Sequence, residues 1–220
     1  MNRILNRVVW IIILIPVIYL GIVWKKLPEK IAMHFDIRGN ADKYDSKNEF
    51  LLFMGIMVVV SIGIYLLLTN IYRIDPKRNA ADNKGRLQKI GFAIIVFLSA
   101  IECLVIYIGR EGSFKLNVRF MLALVGVFYA VIGNYMNNIK PNYFAGFRLP
   151  WTLENEDNWR YTHHLASKLW FAGGLLITVI CIFTSTTVSI VSMFAIIFLA
   201  TVIPVIYSYK FYKKQKTLNH

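Results

Sequence analysis

The sequence predicts an all-α polytopic membrane protein with six transmembrane helices, and three observations carry that expectation. Of its 220 residues, 57% are hydrophobic and only 17% charged. Its mean hydropathy is +0.53, a balance outside the range of soluble domains. Six stretches approach or reach the roughly 20 apolar residues that a helix needs to cross the hydrocarbon. An open sheet could not satisfy its backbone groups in lipid, so stretches this apolar are expected to be helices. No length remains for a separate soluble domain.

The first span, residues 8–24, follows Arg3 and Arg7 as a signal peptide would, but Lys25 and Lys26 come next without a small-residue cleavage site. It is read as a retained helix. In the first loop, residues 25–49, Ile31, Met33, Phe35 and Ile37 alternate with Ala32, His34, Asp36 and Arg38, and Gly39-Asn40 follows. That is the pattern of a half-buried strand ending in turn chemistry, so a short extended element is expected on the membrane surface. Asp45 or Ser46 is placed to cap the second span, residues 50–72. The third and fourth spans are residues 90–109 and 120–139.

The fourth connection, residues 140–168, is the other long one. Pro141 and Pro150 bound a segment expected to be extended or turning. A helix is expected to begin near residues 152–155, with Asn155 as cap, Glu156 and Asp157 in its first turn, and Glu156 and Arg160 as an i, i+4 ion pair. Trp159, His163, Ala166 and Trp170 then recur at helical spacing. They predict an interfacial helix continuous with, or bent onto, the fifth span, residues 166–183. The sixth span, residues 188–209, ends in a basic tail. The expected organisation is a first helical hairpin with its polar loop (1–72), a second hairpin (73–139), and a last hairpin with the 140–168 loop and tail (140–220).

Lys and Arg are more numerous on the amino terminus, the second and fourth connections and the tail than on the first, third and fifth loops. Both termini are therefore expected in the cytoplasm, with the first loop outside and the fourth inside. Basic loops against anionic headgroups account for most of the net charge of +13, and no helix-turn-helix or finger pattern calls for nucleic acid. Cys103 and Cys181 each lie inside an apolar span, as buried small hydrophobes rather than a disulfide framework.

Several residues are candidates for chemistry. His163 and His164 invite a metal or acid-base reading, but neighbours on a helix point about 100° apart and no HExxH motif or cysteine cluster supplies further ligands. No metal and no cofactor is expected. The alternative is that His163 packs between Trp159 and Trp170 while His164 hydrogen-bonds at the headgroups. Arg148, beside Gly146 and Pro150-Trp151, either grips a phosphate or carboxylate with its fork, stacks on Trp151, or snorkels to headgroups. Glu102 stands deep in the third span, where an ionisable group is a functional hypothesis by default. Asn134, Asn137 and Asn138 either bond neighbouring helices or line a small cavity with it. Glu154, Glu156 and Asp157 read as helix-dipole partners. No nucleophile elbow, Walker loop or dinucleotide fingerprint occurs, and Gly173-Gly174 reads as close helix packing.

Residues 142–170, NYFAGFRLPWTLENEDNWRYTHHLASKLW, closely resemble the signature of the SdpI family of bacterial immunity proteins, in which G-x-R-x-P-W-T precedes W-x-x-T-H and K-x-W. The first-loop segment LPEKIAMHFDIRGNADKYDSK resembles the domain of unknown function that commonly precedes it. The resemblance implies a six-span protein of the bacterial plasma membrane, not an enzyme, that protects its cell from a secreted antimicrobial peptide. It also implies a receptor role, in which the toxin-bound protein holds a cytoplasmic repressor at the membrane. The matching positions are His34, Gly39, Asp42, Tyr44, Ser46 and Lys47 in the first loop. In the fourth they are Gly146, Arg148, Pro150, Trp151, Thr152, Trp159, Thr162, His163, Lys168 and Trp170, with Asn142 just ahead. The competing reading is a membrane enzyme or proton-linked transporter for a lipid or small amphiphile, with Glu102 and Arg148 in one cavity.

Overall fold

The computed structural model describes residues 3–35, 41–76, 81–111 and 118–218. Six helices in it are long and apolar enough to cross a membrane: α1 (Arg3–Val23), α2 (Lys47–Ile74), α3 (Lys84–Glu111), α4 (Val118–Met136), α6 (Glu156–Phe183) and α7 (Thr186–Leu218). A short α5 (Pro150–Glu154) precedes α6, and strands β1 (Lys30–Phe35) and β2 (Ala41–Ser46) form an antiparallel hairpin. Large apolar side chains such as Ile11, Ile22, Val59, Phe183 and Phe198 point outward, the burial pattern of helices whose solvent is lipid. The chain is an all-α polytopic membrane protein, and the six expected spans lie within these helices, except that α1 stops at Val23, one residue short of the expected end, and α4 at Met136, short of residue 139.

The chain divides into two compact units, Met1–Leu67 with Gly91–Val118, and Leu68–Ile90 with Arg119–His220. In the first, Ile31 seats the hairpin on a core of Leu20, Val23, Leu27, Phe50, Met54 and Ile106. Val9, Ile13, Tyr65 and Ile95 make a second cluster. Polar side chains close between helices: Tyr65 bonds Asn6, and the Ser99 hydroxyl donates to the Ile12 carbonyl at 3.1 Å.

The first-loop element is a hairpin rather than a lone strand. Its register runs Ala32↔Tyr44, His34↔Lys43 and Phe35↔Ala41, which leaves Met33 and then Asp42 as unpaired extra residues. Such bulges break strict alternation, and Ala32 is buried beside Ile31 although the period-two pattern assigns it to the opposite face. Residues 36–40, including Gly39 and the expected Gly39-Asn40 turn, lie outside the described residues. Ser46, not Asp45, caps α2: its hydroxyl accepts the Glu49 amide at 3.3 Å and donates to the Glu49 carboxylate at 2.8 Å, while that carboxylate also accepts the Ser46 amide at 2.7 Å. This is a reciprocal capping box, whose S-x-x-E signature is present in the sequence.

In the second unit, Gly173-Gly174 lets α6 approach both its neighbours. A Cβ at Gly174 would sit 2.4 Å from the Ala130 amide nitrogen on α4, and one at Gly173 would sit 2.8 Å from Ile196 Cγ2 on α7. Between membrane helices there is little hydrophobic drive, so backbone approach at small residues supplies the packing energy. Arg119 donates to the Thr184 carbonyl at 2.5 Å, tying the start of α4 to the carboxyl end of α6.

Candidate functional site

The segment between α4 and α6 has little regular structure but is fixed at almost every turn. Asn83, fully buried just before α3, accepts the Lys140 amide at 2.8 Å and donates to the Lys140 carbonyl at 2.9 Å. Asn142, also fully buried, accepts the Phe144 and Ala145 amides at 2.9 and 2.7 Å and donates to the Lys140 and Ala145 carbonyls at 3.0 and 3.1 Å. One side-chain amide thus supplies a turn that the backbone cannot make alone. Asp75, past the end of α2, accepts the Tyr143 amide at 3.0 Å.

His163 is the centre of this arrangement. Its Nε2 accepts the Phe147 amide at 2.9 Å and its Nδ1 faces the Trp159 carbonyl at 2.8 Å. An amide can only donate, so Nε2 is bare and Nδ1 carries the proton. The ring stacks on Trp159 at 4.0 Å between centroids and meets Phe147 edge-on at 5.9 Å. Phe147, not Trp170, is therefore its second aromatic neighbour; Trp170 stacks on Tyr129 at 4.5 Å and meets Phe147 at 6.0 Å. With both nitrogens engaged and the side chain fully buried, this histidine offers nothing to a metal or a reacting proton. Among the described residues, no group of three or more His, Cys, Asp or Glu is placed to hold a metal ion.

Gly146 has φ +104°, and a Cβ there would lie 2.2 Å from His163 Nε2. The glycine beside Arg148 thus allows a close approach, and what approaches is the histidine ring. Beyond it, the Thr152 hydroxyl accepts the Leu149 amide at 3.0 Å and donates to the Phe147 carbonyl at 2.6 Å, closing the turn into α5. Pro150, first in α5, needs no amide partner. The helix therefore starts earlier than expected and is interrupted at Asn155, which is extended (φ −128°, ψ 114°) and caps α6 by accepting the Asn158 amide at 2.8 Å.

α7 completes the frame. Trp151 donates to the Ser208 hydroxyl at 3.0 Å and packs on Tyr209 and Tyr212. Asn158 donates to the Ser208 carbonyl at 3.0 Å and accepts the Thr162 hydroxyl at 3.1 Å. Trp159 donates to the Ile139 carbonyl at 2.6 Å and Trp170 to the Ala200 carbonyl at 3.2 Å. Trp151 is thus held by tyrosines of α7 rather than by Arg148.

The exposed residues include basic, acidic and aromatic side chains, Glu154, Glu156 and Asp157 among them. The Arg148 Nη1 donates to the Tyr143 carbonyl at 2.9 Å, which curls the side chain over its own loop. Lys168, Tyr143 and Tyr161 also face outward. Arg160 pairs with Asp157 at 2.9 Å, at i, i+3 spacing. His164 meets Asn137 at 2.7 Å, a protein partner where headgroups were expected. Asn134 and Asn138 are exposed.

In the first unit, Asp42 meets His34 Nδ1 at 2.5 Å across the hairpin, and Lys47 reaches Glu29 at 3.0 Å. Tyr44 is exposed. Glu102 accepts the Ser61 hydroxyl at 3.0 Å, both side chains being buried, so its carboxyl has a partner on α2. Asn134, Asn138 and Arg148 belong to the second unit.

Sequence reasoning missed Asn83, Asp75, Phe147, Tyr129 and Ser208. None belongs to a motif, and Asn83, Asp75 and Ser208 meet their partners from more than fifty residues away in sequence.

Residues 138–208 match the SdpI/YfhL protein family, and residues 11–58 match a domain of unknown function, DUF1648. The chain is similar to the immunity protein SdpI of Bacillus subtilis (strain 168), with 26% identity over 196 residues that cover 88% of each chain. The resemblance read from the two loops is borne out. No solved structure matches.

Proposed function

We propose that this chain, a multi-pass membrane protein carrying the SdpI/YfhL and DUF1648 segments, is a non-enzymatic immunity protein of a bacterial plasma membrane. Both termini lie in the cytoplasm, the hairpin faces outward toward a secreted antimicrobial peptide, and the 140–170 segment faces inward, where it holds a cytoplasmic repressor. The observation that carries the reading is the state of His163 and its neighbours. Asn142, Thr152, Asn158, Thr162 and His163 are all buried and hydrogen-bonded within the protein, mostly to backbone, which suits a surface displayed to a partner and not a reaction centre. The likeness to SdpI supports the immunity half, and the excess of Lys and Arg on alternate connections supports the orientation.

Arg148 and Tyr44 are the residues proposed to meet partners, since both are exposed and their structural ties are slight. Expressed in a toxin-sensitive cell, the wild-type chain is expected to protect, and Arg148→Ala to abolish signalling to a co-encoded repressor while the protein still inserts. Unchanged repressor recruitment in Arg148→Ala would remove Arg148 from the site. A chain that neither protects nor recruits would sink both halves. In the same cells Tyr44→Cys should react with an impermeant maleimide from outside, and Tyr161→Cys only after permeabilisation; the reverse pattern would invert the orientation.

A further inference from the structure

Where α4 ends, the second unit holds a cleft of about 260 Å³ whose charged lining comes from two places. Arg86, in the first turn of α3, and Lys140, after α4, are brought together by Asn83, which bonds both polar atoms of the Lys140 backbone. The other charges stand on the first turns of α6: Glu156, Asp157 and Arg160. Asp157 and Arg160 neutralise one another at 2.9 Å. That leaves Arg86 and Lys140 against Glu156, one positive charge in excess. The Lys140 ammonium makes no hydrogen bond or ion pair with any described residue. Among the described residues Arg86 donates to the Asp82 carbonyl, at 3.4 Å. Asn138 adds a side-chain amide, and Ile139, Pro141 and Trp159 give the cleft apolar lining.

The level of the cleft narrows the ligand. α4 has 19 residues, and at about 1.5 Å per residue that is close to the thickness of the hydrocarbon core. Residues 137–141, which follow it directly, therefore sit at the headgroup layer. The cleft is smaller than the pockets of about 300–1,000 Å³ that take drug-sized ligands, and of a size for a headgroup.

We propose that this cleft binds the phosphodiester headgroup of a phospholipid, with the phosphate between Arg86 and Lys140. A phosphodiester carries one negative charge, which cancels the excess. The Arg86 fork donates to two phosphate oxygens and Lys140 supplies a point charge. The acyl chains stay in the bilayer. The inference does not depend on the immunity reading.

The test uses the full chain, delipidated in neutral detergent and titrated with short-chain phosphatidylglycerol, with adducts counted by native mass spectrometry. One lipid per chain is expected in preference to diacylglycerol. The double variant R86Q/K140Q should weaken binding at least about ten-fold, as losing charge-assisted hydrogen bonds predicts. K213Q/K214Q, which removes the same charge from the end of α7, should leave binding unchanged. If R86Q/K140Q does not fold, K140Q alone is read against wild type. Equal binding by the cleft variant, equal loss in the α7 variant, or diacylglycerol binding as tightly as phosphatidylglycerol would each overturn the proposal. Inorganic phosphate at about a hundred-fold excess should leave the lipid in place. Displacement by it would assign the cleft to a soluble anion and overturn the lipid reading.

Discussion

In the hairpin of residues 30–46, the side chains that join the strands stay in water: His34 meets Asp42 at 2.5 Å with 67% and 48% of their side-chain surfaces exposed. In the segment between α4 and α6 and on the start of α6 that packs against it, Asn142, Thr152, Thr162 and His163 are each at 0%. Both segments are polar, both lie between membrane helices, and both carry family motifs, yet their motif residues do different work. The hairpin is seated by apolar contacts of Ile31, and its polar residues decorate it. The other segment is built from polar contacts. Exposed ion pairs contribute little and tolerate exchange, whereas a buried donor left without its acceptor costs the desolvation of that group. A surface whose side chains can be exchanged suits the first construction, and one that must keep a fixed geometry suits the second.

The comparison breaks most sharply at Gly146. With φ at +104° and His163 Nε2 2.2 Å from where a Cβ would stand, Gly146→Ala meets backbone strain and a clash together. A loss of about 3 kcal/mol or more is expected, read as a collapse of the melting midpoint in detergent or as failure to accumulate. A normal midpoint would mean that the Phe147 amide and His163 are not in contact. Asn142→Ala comes next. It strands two amides and the Ala145 carbonyl, while the Lys140 carbonyl keeps its bond from Asn83, for an expected loss of about 2–3 kcal/mol because water can reach some of them. Hydrogen exchange at the Phe144 and Ala145 amides should rise with it; protection equal to wild type would show that the turn holds without its side chain.

The spans and both polar segments were legible because each rests on local pattern: an unbroken apolar run, a proline boundary, a cap. The residues of the 140–170 segment were legible too, as motif letters, but their duties were not. A glycine beside Arg148 permits close backbone approach, and what approaches Gly146 is a ring seventeen residues on. Asn83, Asp75 and Ser208 carry no local signal because their partners come from other helices. The burial of Ala32 carried no signal either: it pairs in regular register beside Ile31, so alternation places it on the opposite face, and the bulge at Met33 comes after it. Pattern reads an element from within, and polar networks are written between elements.

The smallest effect is expected in the hairpin, and it is the most exacting check on the contrast. Asp42 is the extra residue of β2, and its carboxylate reaches across to His34 with both groups largely in water. In a double-mutant cycle of His34→Ala and Asp42→Ala, the coupling should stay below about 1 kcal/mol, as for other exposed pairs. It should shrink further as salt rises, since a surface pair is screened over about 10 Å at 0.1 M. A salt-insensitive coupling of about 2 kcal/mol or more would place the hairpin in the same class as the buried segment. The contrast between an adaptable hairpin and a rigid 140–170 segment would then fail, because the shared motif letters would be holding backbone in both.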